Sequence, residues 1–364
     1  MQADIKSLRQ CIYCHNFCKF SCPSYIASKD QKILQTQRNY LIHLYDDRKI
    51  ELDKELGRSI YYCNDCRRCE NYCIYDEKDV LANNRYSKEV IFKKGLAPEK
   101  VYEIEKNLKK HNNVFGLDLS KEEENEDYFS KEYDIFIYSG DIVKYLEPQI
   151  YSSFVRILKV LGISYISDEG EISDGMLALD LGIPELSNDL MKKNFERISN
   201  FRFKKIVILS PESYYGFKME YGKFGYKFGK DMVHYTEFVN DYIDDIKVNK
   251  TNDKIKYFDP CKLGRYLGIY KEPRNILSKL FGIEDFEFFK NKEESKCCGG
   301  YVSLYDKEFS NKVSMELINE CKEAGCNVLI TSCPLCVNNL KSADLNKEIK
   351  IYDLLEYISV NLEE

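Results

Sequence analysis

Asn327-Val328-Leu329-Ile330-Thr331-Ser332-Cys333-Pro334-Leu335-Cys336 is a short apolar run that ends in a CxxC pair. A run of this length, rich in branched side chains, reads as a buried strand. The pair at its end sets two thiols where a strand gives way to a helix, close enough to grip one metal centre. Upstream, Ile255-Lys256-Tyr257-Phe258-Asp259 is a second such strand and leads directly into Pro260-Cys261. Between them stands Cys297-Cys298-Gly299-Gly300, 35 residues beyond Cys261 and 34 before Cys333. Cys261, Cys297, Cys298, Cys333 and Cys336 exceed the four ligands that tetrahedral zinc accepts. Soft thiolates in that number point to iron–sulfur chemistry. In open parallel sheets ligands bind beyond the carboxyl ends of strands, which is where Cys261 and Cys333 fall. Gly299 and Gly300 are expected to let the backbone approach a bulky cluster.

The same strand-and-loop unit occurs earlier. Lys205-Ile206-Val207-Ile208-Leu209-Ser210-Pro211-Glu212-Ser213 matches the opening stretch, with Ser210 and Ser213 at the places of Cys333 and Cys336. Phe217-Lys218 matches Leu340-Lys341, and Ser173-Asp174-Gly175 matches Cys297-Cys298-Gly299. A strand at Asp134–Ser139 precedes Gly140-Asp141, and Asp141 stands where Cys261 would be. Helical patterns at Tyr151–Leu161 and Lys312–Lys322 lie between strands. Strands alternating with helices imply parallel sheets. Every ligand position of the first copy is Ser or Asp, which lack the soft sulfur that holds iron. The first copy is therefore expected to be a cluster-free structural half.

Two more cysteine runs open the chain: Cys11-x2-Cys14-x3-Cys18-x3-Cys22-Pro23 and Cys63-x2-Cys66-x2-Cys69-x3-Cys73. Three close thiolates and a remote fourth wrap a [4Fe–4S] cube, and in two-cluster ferredoxins the fourth cysteine serves the other cluster. The expected sets are Cys11, Cys14, Cys18 and Cys73, and Cys63, Cys66, Cys69 and Cys22. The first run has one residue more than the common ferredoxin spacing. That residue either bulges the loop or makes Cys18 a poorer ligand. His15 reads as a polar neighbour of a cluster. The 40 residues between the runs show helical periodicity at Ile33-Leu34, Tyr40-Leu41 and Leu44-Tyr45. Helix is expected again over Ser87–Lys110.

The 364 residues carry a net charge of −6, so the chain has no electrostatic footprint for nucleic acid. No run of eighteen apolar residues predicts a membrane span, and the N-terminus lacks the apolar core of a signal peptide. A cytoplasmic, reducing setting is expected, in which clustered cysteines act as ligands. Of fifteen cysteines, only Cys321 and Cys326 fall outside the motifs, and both read as core packing. No GxGxxG or P-loop pattern appears, so flavin or nicotinamide would come from a partner. Lys262, Arg265 and Arg274 read as surface charges ahead of an anionic-substrate site.

The C-terminal spacing resembles the CCG domain of heterodisulfide reductase subunits. The helical insert between the N-terminal runs resembles the alpha-helical ferredoxin domain. Together they resemble the heterodisulfide reductase D-type family. The resemblance implies an α/β chain with a helical N-terminal domain, followed by two pseudo-symmetric CCG halves with short parallel sheets. The expected divisions are a dicluster domain over 1–110, an acidic linker over 111–132, a degenerate CCG domain over 133–250 and an intact one over 251–364. Implied cofactors are two [4Fe–4S] cubanes and one further cluster on the five CCG cysteines, of the non-cubane [4Fe–4S] type. Implied partners are a flavoprotein or other redox subunit and a membrane-anchored subunit. The implied activity is reduction of a disulfide substrate at the CCG cluster with electrons from the cubanes. The alternative is a non-catalytic electron-transfer subunit beside a flavin-dependent hydroxy-acid or glycerol-3-phosphate dehydrogenase. Both share every motif.

Overall fold

The computed structural model describes residues 5–75, 79–118 and 131–363. The acidic run at 121–127 therefore lies wholly outside the described residues. From Ile5 to His111 the described chain is helical, and strands begin at Glu132. The insert between the cysteine runs folds as helices Gln35–Asp46 and Lys54–Tyr61, the second capped by the Asp53 side chain accepting from the Leu56 amide at 2.8 Å. The helix expected over Ser87–Lys110 is two: Val80–Lys93 and Glu99–His111. Gly95, at φ 75°, and Pro98 break it, since neither continues a helix at low cost.

Among the described residues, seven short strands make two parallel sheets. In the first, β1 (Glu132–Tyr138), β2 (Tyr165–Ser167), β3 (Arg202–Ile208) and β4 (Asp231–His234) lie in the order β2-β1-β3-β4. In the second, β5 (Ile255–Phe258), β6 (Val328–Thr331) and β7 (Lys350–Asp353) lie in the order β5-β6-β7. All four residues of β6 are buried, as expected of a strand covered on both faces. Where the second sheet lacks a partner for β2, the Tyr257 amide still donates to the Phe286 carbonyl at 2.8 Å.

The repeat runs further than the motifs. β4 and β7 each feed a helix that opens with a capping box, His234 with Glu237 and Asp353 with Glu356. Ser210 and Cys333 are equivalent caps. The Ser213 amide donates to Ser210 Oγ at 3.2 Å, and the Cys336 amide donates to Cys333 Sγ at 3.4 Å. Pro211 and Pro334 follow at the first helical position, where no N–H is needed. Gly175 and Gly299 both sit at φ 79°. A Cβ there would fall 2.7 Å from the Ser187 carbonyl oxygen and 2.9 Å from that of Ser310. Gly299 thus serves helix packing, contrary to the expectation that it faces a cluster. Gly300 keeps that role, since its Cβ would lie 3.3 Å from Cys298 Sγ.

One core joins the N-terminal helices to both halves, from Ile42, Tyr61 and Ile104 through Leu181 and Leu190 to Leu329 and Leu340. The Tyr61 hydroxyl donates to the Leu181 carbonyl at 2.8 Å. The buried Arg85 guanidinium donates to Asp180 and Glu220. Among the described residues no helix is long and apolar enough to cross a membrane.

Candidate iron–sulfur centres

The structure brings the five C-terminal cysteines to one place at the carboxyl ends of β5 and β6. Cys333 and Cys336 open the helix Pro334–Ala343, and Cys261 precedes a π-turn at Lys262–Tyr266. Cys298 Sγ lies 3.0 Å from Cys336 Sγ. Cys297, Cys298, Cys333 and Cys336 are buried, and Cys261 is partly so. The Gly299 amide donates to Cys297 Sγ and the Gly300 amide to Cys298 Sγ, each at 3.3 Å. The backbone behind them is fixed: the Cys298 carbonyl accepts from Asn339 Nδ2 at 2.6 Å and from Ser314 Oγ at 2.7 Å. Asp259, just ahead of Cys261, takes both Nη groups of Arg274, which also pairs with Glu287.

Burial pushes the Cys261 and Cys333 thiols up to about 12. Cys298 is held down to about 7, chiefly by its contact with the Cys297 thiol. The Cys261 and Cys333 thiols therefore stay neutral until metal displaces their protons. Among the described residues, no three His, Cys, Asp or Glu side chains are grouped as a single-ion site. The cysteines of an iron–sulfur cluster bind separate irons and need not converge on one point. Donor type, amide hydrogen bonds to sulfur and apolar surroundings all fit such a group.

In the N-terminal region two neighbouring cavities carry the eight remaining motif cysteines. The outer is lined by Cys11, Cys14, Cys18, Cys69 and Cys73, with Phe17 and Ile74. The inner is lined by Cys18, Cys22, Cys63, Cys66 and Cys69, with Arg38 and Asp65. Cys18, from the run with the extra residue, reaches both. Burial and the neighbouring cysteines push its thiol up to about 12. Asn84 Nδ2 donates to Cys63 Sγ at 3.2 Å, and Asp65 holds the buried Lys88.

The inner cavity meets the C-terminal site. Cys66 and Cys297 pack in one buried cluster beside Cys261, with their thiols close enough to interact. Arg265 spans this junction. Its Nε donates to the Cys66 carbonyl at 2.6 Å and its Nη1 to the Ser295 carbonyl at 2.9 Å. The guanidinium lies among Cys66, Cys261 and Cys297. On the other side of Cys261, Lys262 is 1 % exposed. Its Nζ pairs with Asp180 at 3.1 Å and sits over the rings of Tyr266, Tyr215 and Tyr301. The surface reading of Lys262, Arg265 and Arg274 is thus corrected: Lys262 is buried, and both arginines are partly buried and held by ion pairs or backbone carbonyls. Cations beside thiolate clusters offset their negative charge, and the only sequence signal was that two of them follow Cys261 in one turn. Arg38, wedged against Cys22 and Cys63, gave no local signal at all.

The first half shows the same pocket without thiols. Asp141, Ser173, Asp174, Ser210 and Ser213 line one cavity, together with Glu212, Tyr301 and Leu335. Burial pushes Asp141 up to about 7 and also raises Asp174 and Glu212. Glu171, which accepts from the Ser139 and Gly140 amides, is pushed up to about 8 for the same reason. Glu212 Oε1 lies 3.2 Å from Cys333 Sγ, so the two halves touch at this point. Cys321 and Cys326 are buried in the core, as expected, but the structure joins them in a disulfide that the spacing did not reveal.

Residues 7–76 match the model of a 4Fe-4S dicluster domain, and residues 255–341 match that of the cysteine-rich CCG domain. The chain thus carries a 4Fe-4S dicluster domain and a CCG domain. It is similar to the EtfAB:quinone oxidoreductase of Syntrophomonas wolfei, 26 % identical over 83 % of this chain and 46 % of that one. It is also similar to a dihydromethanophenazine:CoB–CoM heterodisulfide reductase subunit of Methanosarcina barkeri, 26 % identical over 62 % of this chain and 58 % of that one. The chain spans about half the length of the first of these relatives. A crystal structure of a hypothetical protein from Helicobacter pylori shares the fold, with a TM-score of 0.62 and 10 % identity over 99 % of this chain and 75 % of that one. Its relatives thus include proteins named as a quinone oxidoreductase and as subunits of a fumarate reductase and a heterodisulfide reductase.

Proposed function

We propose that this protein reduces a disulfide substrate at its C-terminal centre, with electrons relayed from two N-terminal [4Fe–4S] clusters. Cys11, Cys14, Cys18 and Cys73 would hold the outer cluster, and Cys63, Cys66, Cys69 and Cys22 the inner. Cys261, Cys297, Cys298, Cys333 and Cys336 would hold the third, of the non-cubane type. The observation that carries the reading is the contact of Cys66 with Cys297, which leaves no gap between relay and terminal site. A cluster bound there supplies single electrons and an iron able to take up sulfur as a Lewis acid. A disulfide takes two electrons and two protons, here from solvent, to give two thiols. The residues of the chain fix the terminal site through the Gly299 and Gly300 amides and neutralise it with Arg265 and Lys262. Leu335 and Glu212 form the floor between it and the neighbouring cavity.

A relay that passes electrons onward to a quinone is the second reading, favoured by the similarity to a quinone oxidoreductase. Anaerobic assay with reduced methyl viologen separates them. Disulfide turnover, with a paramagnetic signal of the terminal centre that the substrate alters, supports the first. No turnover, with a signal blind to thiols and disulfides, gives the second.

A further inference from the structure

The helix Gln35–Asp46 begins against both N-terminal cavities. Gln35 lines both of them, and Arg38, one turn on along the same face, lines the inner. Each is 3 % exposed. Gln35 Oε1 accepts from Arg38 Nη2, and Gln35 Nε2 donates to Asn39 Oδ1 at 2.9 Å, so the guanidinium is held in place. Its Nε and Nη1 have no hydrogen-bond partner. The other charged side chains of this wall have partners of their own: Asp65 pairs with Lys88, and Arg67 with Glu70. A buried cation with two unmet N–H groups is costly unless an anion takes them up. Arg38 lies against Cys22 and Cys63, so the anion it faces is a thiolate-bound cluster.

The outer cavity is built differently. Among the described residues, no charged side chain lines it. Its unmet donor is a neutral one, the hydroxyl of the equally buried Thr36. Lys19, in the run that wraps it, lies over the Tyr25 ring instead, 5.2 Å from the centroid. A second cation stands on the inner side only: Arg265, on the Cys66 carbonyl, also has an unmet Nη2.

Reduction adds one negative charge to a cluster, and cations and hydrogen bonds to its sulfurs favour the reduced form. Solvent favours it too, and the outer cavity has solvent at its rim, where Ile74 is 63 % exposed. A fixed charge at contact in a dry wall outweighs that, because Coulomb energy grows as distance and effective dielectric fall. We propose that Arg38 makes the inner cluster the more easily reduced of the two, so that an electron entering from a low-potential donor comes to rest beside the terminal site. The outer cluster loses one electron and the inner gains it, with no bond made or broken and no proton moved. A disulfide needs two electrons, and one is then already waiting next to it when the second arrives. The inference rests on the reading with two N-terminal clusters, and not on the identity of the terminal substrate.

The test is a redox titration of the reconstituted full chain, followed by low-temperature EPR with dithionite as reductant. Cys14→Ser, whose residue lines the outer cavity alone, identifies the outer signal by the g-values it alters. In wild type the inner signal should appear first. Arg38→Gln should shift the partition of the electron towards the outer cluster at least ten-fold, about 59 mV for one electron. The outer potential and the iron content should stay as they are. Arg38→Lys, which keeps the charge, should retain most of the wild-type order. The proposal is overturned if the outer cluster of wild type is reduced first, an outcome that needs no variant to fold. It is also overturned if Arg38→Gln moves neither potential or both equally, or if Arg38→Lys matches Arg38→Gln at full iron content. A wild type with one cubane signal in place of two overturns the two-cluster reading and the proposal with it, whereas two signals in the wrong order overturn the proposal alone.

Discussion

The two halves of the repeat share strands, caps and turns, yet their pockets carry opposite kinds of charge. Around the thiols of the second half sit the cations Lys262 and Arg265. At the matching places in the first half stand Ile142 and Tyr145, and the pocket holds buried acids instead, Asp141, Asp174 and Glu212. A thiolate-bound cluster is anionic, and buried anions need partners. A half without one can keep carboxyls, but burial then holds on to their protons. The difference teaches that the cations follow the thiols and not the fold.

The sharpest break of that comparison is removal of a thiol. Cys298→Ser should cost the second half its cluster, about four of about twelve irons, and abolish disulfide turnover. The N-terminal clusters should stay reducible, as measured by iron analysis and low-temperature EPR. Full iron retention would detach Cys298 from the site.

Next in size is the junction. Arg265→Gln should lower the reduction potentials of the terminal and inner centres by tens of millivolts, on the order of a unit charge lost at short range. The outer centre should not move in the same EPR-monitored titration. Equal shifts at all three centres would mean a general loosening of the fold.

A smaller effect is expected from the acids of the first half. Asp141 faces Asp174, Lys144, Ser173 and the Val114 amide, and burial holds it up to about 7. The folded state therefore keeps a proton that the unfolded chain has released. Its contribution to stability is full below the ordinary carboxylate range and is lost as pH rises towards about 7. Wild-type Tm should fall between pH 5.5 and 7, with a slope of at most about 1.4 kcal/mol per pH unit from this group. Asp141→Asn should flatten that fall, and parallel profiles would show that Asp141 is ionised throughout.

Smallest of all are the serines. Ser173→Ala, Ser210→Ala and Ser213→Ala should leave iron content unchanged, because hydroxyls are poor ligands for this chemistry. Ser210→Ala alone should lose about 1 kcal/mol in a denaturant titration, as the cap of its helix. Iron loss from any of them would make the first half a cluster site after all.

What could be read from sequence was whatever local spacing encodes. Strands β1, β3, β5 and β6 were legible as apolar runs, and Ser210-Pro211 against Cys333-Pro334 exposed the repeat. β4 and β7, no shorter than β5 and β6, are half-exposed, so their apolar signal was too weak to register. Lys262 and Arg265 look like any surface charges until the fold closes over them. The meeting of Cys66 with Cys297 depends on packing between residues more than two hundred positions apart, for which no local pattern exists. The pairing of Cys321 with Cys326 follows from the helix end at Glu323 and the turn before β6, which brings their Cα atoms to 5.4 Å.

The N-terminal helices are clasped to the first half, by Tyr61 on Leu181 and by Arg85 on Asp180 and Glu220, while Asp180 also reaches across to Lys262 beside Cys261. Electron tunnelling weakens exponentially with distance, so a relay works only where spacing is fixed. On the proposed reading, in which the first half holds no cluster, that half is a ruler: it sets the gap between donor and acceptor, and its stiffness sets how constant the rate can be.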